Sequence, residues 1–331
     1  MKRKTIGETT LFDPLYPDSD SLHELDDIKD LIDWKRLETL LQKGLSYANE
    51  GASPYPEIVM FKILLVQSWY NLSDVMMEKM LQRDLLFKNF CGFSLYDPTP
   101  DHSTLSRFRA RLVEKNMHAP LLHEVNQQLQ NHNVLIQQGS VSIVDATVIE
   151  AHQVRKKPGK NSDNTQDKEA GYSVKKGTKG RTECVYGFKA HTNVDEDGFV
   201  KKVIVTAGNV HDSQQLEPLI MGDEFELYAD SAYQSSKTEA LLASRGIVNK
   251  VTKRAYRNKP LTASQKLFNS LTSATRSVVE RTFGSFKLHY RMAKTRFLGV
   301  ARNQLWVTIL CIAHNIKKAV RLLSCDVVTS A

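Results

Sequence analysis

A chain of 331 residues, 41% hydrophobic and 25% charged, has room for roughly two domains with buried cores and is composed like a globular protein. Because no apolar run approaches the roughly 18 residues of a bilayer span, and Met1-Lys2-Arg3-Lys4 leads into polar residues without a signal-peptide stretch, a cytoplasmic protein with no membrane partner is expected. The net charge of +8 is uneven: residues 1–135 hold 15 Lys+Arg against 19 Asp+Glu and residues 136–331 hold 30 against 18, so the second part suits a polyanion such as nucleic acid.

From about Ile28 to Leu129 apolar residues recur at helical spacing, as in Ile58, Phe61, Leu64, Leu65 and Trp69, which predicts an all-helical domain over residues 1–135. Pro54, Pro56 and the run Asp97-Pro98-Thr99-Pro100-Asp101 mark loops, and a new helix is expected near Ser103. On that helix Arg107 and Arg111 share one face and Phe108 and Leu112 another. The basic face suits a DNA backbone, and from spacing alone it suits solvent equally well.

After a polar joint at 130–140 the period changes. Ser142-Ile143-Val144-Asp145-Ala146-Thr147-Val148 is a β-branched run with a carboxylate in its middle, an unusual place for a charge. Residues 155–181, rich in Lys, Gly and polar side chains, read as a basic loop over the sheet edge. Strands are expected at Val185–Asn193 and Phe199–Thr206, joined by an Asp197-Gly198 hairpin signal. A helix at Ser213–Met221, a strand at Glu226–Ala229, a helix at Lys237–Ser244, a short strand near Ile247 and a long helix from about Ser273 follow. Hairpin strands followed by strand and helix alternation imply a mixed α/β sheet, with the second domain running over 136–331. Trp306, Ile309, Leu310, Ala313, Ile316 and Val320 give the last helix an apolar stripe for core packing.

Among single residues, Asp212 heads Asp212-Ser213-Gln214-Gln215, which reads as a capping box more than as a ligand. Glu150 is expected in solvent. Lys253, Arg254 and Arg257, around Tyr256, form a second basic loop suited to phosphate contact. Tyr233 either stacks on a base or covers the sheet. Cys91, Cys184, Cys311 and Cys325 lie far apart without a C-x-x-C pair, so buried free thiols are expected rather than zinc ligands or a disulfide framework. His152, His191 and His211 have no zinc-site spacing.

Phosphodiester cleavage by two metal ions needs a few clustered carboxylates, and magnesium prefers such hard oxygen ligands. Asp145 on one strand, Asp230 at the end of another in Leu227-Tyr228-Ala229-Asp230-Ser231-Ala232-Tyr233, and Glu280 on the long helix have the order and setting for such a cluster. In this the chain resembles the DDE transposases with an RNase H-like fold, and more closely their IS5-like insertion sequence branch. Arg276-x-x-x-Glu280-x-x-x-x-x-x-Lys287 is similar to the Y-x-x-R-x-x-x-E-x-x-x-x-x-x-K pattern of that branch, with Ser273 where the pattern has tyrosine. The segments from Val185 to His191, from Ala207 to Ser213, from Asp84 to Phe93 and from Pro100 to Arg109 also resemble family segments, so the likeness runs from about residue 30 to 320.

The resemblance implies a helical N-terminal DNA-binding domain and an RNase H-like catalytic domain with a mixed five-stranded sheet. It implies two Mg²⁺ ions on Asp145, Asp230 and Glu280, replaceable by Mn²⁺, with Arg276 and Lys287 against phosphate and Lys189 and Tyr233 among further DNA contacts. The partners implied are double-stranded DNA, as terminal inverted repeats and target, and a second copy on paired ends. A catalytically retired DNA-binding repressor and a metal-dependent nuclease without strand transfer are the alternatives.

Overall fold

Side-chain caps start most of the helices in the first part of the chain. In this computed structural model, which describes residues 3–7, 23–47, 52–132, 134, 141–152, 167–176, 182–222, 224–256 and 260–329, α1 spans His23–Leu31, α2 Trp34–Gly44, α3 Glu57–Trp69, α4 Asp74–Arg83, α5 Leu85–Cys91, α6 His102–Glu114 and α7 His118–Asn131. Asp33, Ser73, Asp84 and Asp101 accept from the first-turn N–H groups of α2, α4, α5 and α6, satisfying donors that a helix start leaves open. α3 is buried along most of its length, including Glu57, whose carboxylate is paired with Arg3.

The sheet part contains β1 (Val141–Glu150), β2 (Gly171–Lys176), β3 (Thr182–Val194), β4 (Val200–Ala207), α8 (Leu216–Leu219), β5 (Glu226–Ala229), α9 (Ser236–Ser244), β6 (Val248–Asn249), α10 (Ala263–His289) and α11 (Val300–Thr329). The sheet runs β2-β3-β1-β5-β6, with β4 also paired to β3. β1 is antiparallel to β3 and parallel to β5, and β5 is parallel to β6, so the sheet is mixed. The β3–β4 hairpin turns where expected: Asp195 Oδ1 accepts from Asp197 and Phe199 N–H, and Gly198 takes the left-handed conformation at φ +86°. On one face Val144, Leu227 and Ala229 pack with Leu216, Leu219, Tyr233 and Leu242. α10 packs against β1 and β5 through buried Val279, Phe283 and Phe286.

Four details depart from the expectations. Among the described residues the sheet has six strands rather than five, because β2 lies within the segment read as a basic loop; residues 153–166 and 177–181 of that segment lie outside the described residues. α10 begins at Ala263, ten residues early, behind a capping box between Thr262 and Gln265. Cys91 and Cys311 are buried but Cys184 is exposed, and the Cys325 side chain lies outside the described residues.

The fourth concerns the domain division. The chain forms two compact units, Ile136–Val307 and Met1–Leu135 together with Thr308–Ala331, so residues 308–331 group with the helices and not with the sheet. The reason is specific pairing: Trp69 Nε1 donates to the Ala313 carbonyl at 2.9 Å, and Asn315 Nδ2 donates to Asn126 Oδ1 at 2.9 Å. Among the described residues no helix is long and apolar enough to cross a membrane.

Candidate functional site

Strand register sets the first two acids. Val144 of β1 pairs with Ala229 of β5 in parallel, so the next residues, Asp145 and Asp230, are neighbours. Asp145 Oδ1 accepts from the Ala146 N–H at 2.8 Å. Burial pushes its carboxyl up to about 6; the Ala146 N–H and Arg276 pull it down, and Asp230 and Asp212 push it further up. Asp230 leads from β5 into the 3₁₀ turn Ser231–Tyr233, where its Oδ1 accepts from the Ser231 N–H.

Glu280 enters through a guanidinium. Arg276 stands 3.8 Å from Asp230 and 3.9 Å from Glu280, one turn along α10. Its Nε is buried and has no hydrogen-bond partner among the described residues. The Glu280 side chain is 64% exposed, so it occupies the rim. Among the described residues no three His, Cys, Asp or Glu side chains stand close enough together to hold a metal ion. The donor chemistry of Asp145 and Asp230 nevertheless suits a hard cation, since a half-buried carboxylate beside two others gains from a positive neighbour.

A third aspartate joins this neighbourhood. Asp212, read as a helix cap, instead accepts from Lys189 Nζ at 2.9 Å and lies 3.9 Å from His191 Nδ1, while His211 caps the 3₁₀ turn Asp212–Gln215. The lysine draws the carboxylate away from the turn. Its position right after a strand-end segment was the available signal. His191 is buried, which lowers its pKa to about 4 and keeps it neutral at pH 7; its Nε2 pairs with Thr206 Oγ1 at 2.8 Å.

Burial bears on one expected DNA contact and ion pairing on another. Tyr233 is fully buried in the apolar cluster, so its ring covers the sheet and is closed to a base. Its hydroxyl has no partner among the described residues, and burial with Asp145, Asp212 and Asp230 nearby pushes its pKa well up. Lys189 spends its charge on Asp212 and the Val210 carbonyl, both at 2.9 Å.

Arg107, Arg254 and Lys287 are exposed. Lys253 Nζ lies 3.9 Å from Glu239, and the Arg111 guanidinium lies 4.1 Å from the centroid of the Tyr47 ring. Arg257 lies outside the described residues. Glu150, expected in solvent, is half exposed and 3.2 Å from Lys294.

Residues 13–111 match the family described as "Transposase domain (DUF772)", and residues 136–316 match the family described as "Transposase DDE domain". The solved "Mos1 transposase paired-end complex with left transposon end" is 12% identical over 87% of this chain and 85% of that one, at a TM-score of 0.20. A "pre-cleavage Mos1 transpososome" is 10% identical over 90% of this chain and 97% of that one, at 0.19.

Proposed function

The chain belongs to the DDE transposase family and is a DNA transposase, an enzyme of strand cleavage and transfer, and from that premise we propose that Asp145, Asp230 and Glu280 are its catalytic acids. The observation that carries the assignment is the parallel register of β1 and β5, which sets Asp145 beside Asp230 where burial disfavours the uncompensated anion.

We assign Mg²⁺ as the ion that Asp145, Asp230 and Glu280 would hold, with Mn²⁺ as a substitute. A pair of divalent ions there would supply Lewis acidity to the phosphodiester and to the attacking oxygen. The protein's own part is positional. Asp145 is fixed by the Ala146 N–H and Asp230 by the Ser231 N–H, so both carboxylates are oriented before any ligand arrives. Arg276, standing between Asp230 and Glu280, and exposed Lys287 provide positive charge for the phosphate. Arg107, Arg111, Lys253, Arg254 and Arg257 serve as contacts to double-stranded DNA, both transposon ends and target. Paired ends call for two copies of the chain.

The test is Mg²⁺-dependent nicking of terminal inverted-repeat DNA. Asp145→Asn, Asp230→Asn and Glu280→Gln should each lower cleavage by on the order of a thousandfold, the rate equivalent of about 4 kcal/mol, while DNA binding persists. Wild-type cleavage rates in any one of them remove that residue from the assignment.

A further inference from the structure

The helical unit holds a pocket of about 370 Å³, within the size range of small-ligand sites, and none of the proposed catalytic acids lines it. Among the described residues three cations do: Lys4, Arg107 and Arg111, the two arginines one turn apart on α6. Among the described residues that line it, none is a carboxylate. Glu57 lies close by, but it is buried and paired with Arg3, so its charge is already matched.

Aromatic rings hold two of these cations in place. Arg111 stands over Tyr47, and Lys4 Nζ lies 4.2 Å from the centroid of Tyr55. A ring face orients a cation without cancelling its charge. Arg107 donates to Thr104 Oγ1 at 3.0 Å and has Asp101 only at 3.9 Å, a weak pairing between exposed groups. Three like charges around one concavity are favourable only once an anion enters.

We propose that this pocket receives the phosphate at a DNA 5′ end together with its nucleoside. When water cleaves a phosphodiester in transposition, its oxygen bonds to phosphorus, the bond to the 3′ oxygen breaks, and that oxygen takes up a proton. The products are a 3′-hydroxyl, which strand transfer consumes, and a 5′-phosphate, which it does not. A terminal phosphate carries about −1.5 to −2 charges and three unesterified oxygens, matching three converging cations. A phosphodiester inside a strand carries one charge and two unesterified oxygens, a poorer match to three cations.

The inference rests on the chain binding DNA. Its test uses the full chain in EDTA, so that cleavage is silent, and fluorescence anisotropy with two oligonucleotides that differ only in a 5′-phosphate or a 5′-hydroxyl. The phosphate should tighten wild-type binding by about tenfold, equivalent to about 1.4 kcal/mol. In Arg107→Gln/Arg111→Gln that advantage should fall below about twofold. Arg107→Gln alone, at an exposed position, should show an intermediate loss and serves if the double variant does not fold. Equal, measurable affinity of the wild type for both oligonucleotides overturns the pocket assignment and leaves the DNA-binding reading standing. An advantage undiminished in the variants also overturns it, and failure of both oligonucleotides to bind overturns the two readings together.

Discussion

Asp145 and Asp230 sit side by side, each one residue beyond the parallel pair Val144 and Ala229. Their proximity is a property of strand register, so it exists before any ligand binds; burial, with Asp230 and Asp212 adding to it, pushes the Asp145 carboxyl up to about 6. A ligand that binds only the folded pair stabilises the fold by mass action, by about 2.7 kcal/mol at a hundredfold excess over its Kd. Mg²⁺ should therefore raise the thermal midpoint of the wild type, and Asp145→Asn should lose most of that increment. Differential scanning calorimetry with and without Mg²⁺ checks this; an increment unchanged in the variant places the ion elsewhere.

Arg276 is the positive charge that Asp230 and Glu280 share without a ligand, at 3.8 and 3.9 Å. Replacing it by Gln should destabilise the metal-free protein by about 1 kcal/mol or less, because both carboxylates are open enough for water to solvate. The same variant should gain more from Mg²⁺ than the wild type does, since two acids have lost their other counter-ion. Thermal midpoints of Arg276→Gln across a Mg²⁺ titration read both effects, and a smaller gain than in the wild type would count against the shared-charge account.

Asp195, in the β3–β4 turn, supplies a pH test away from the catalytic acids. Burial pushes its carboxyl up to about 6, and its Oδ2 has no partner among the described residues. A pKa raised above its ordinary value means the folded chain holds the proton more tightly than the unfolded one. Stability from this group is thus present below about pH 4 and is lost as pH rises to about 6. Asp195→Asn, which keeps an acceptor for Asp197 and Phe199, should add about 1 to 3 kcal/mol at pH 8 and little at pH 4. Urea unfolding at the two pH values decides it, and equal gains at both would refute the titration.

Tyr233→Phe removes a buried hydroxyl that lacks a partner among the described residues, so stability should hold or rise, by up to about 1 kcal/mol, with DNA affinity unchanged. A tenfold loss of DNA affinity would return this ring to the DNA surface.

Tyr233 also shows where sequence reading stops. The strand around Asp145, the β5 span and the Asp-Gly turn were legible because each rests on local pattern: β-branched runs, a period of two, a left-handed glycine. The burial of Tyr233 and the ion pair of Lys189 with Asp212 were not legible because both come from chain segments distant in sequence. Asp212 lost its cap role to His211 for a similar reason, the pull of Lys189 across 23 residues. β2 escaped notice because its exposed Tyr172 and Val174 alternate over only a few residues among lysines and glycines. The start of α10 carried its capping box in plain view, but residues 263–272 are mostly polar and gave no apolar period. Of the acids, the Asp145–Asp230 pairing follows from register, whereas the intervening place of Arg276 needed three-dimensional packing.

The most direct measurement is anomalous diffraction from crystals grown with Mn²⁺. The account predicts metal density bridging the carboxylates of Asp145 and Asp230, with Glu280 turned in from the rim to complete the shell. Manganese bound away from both aspartates would contradict it.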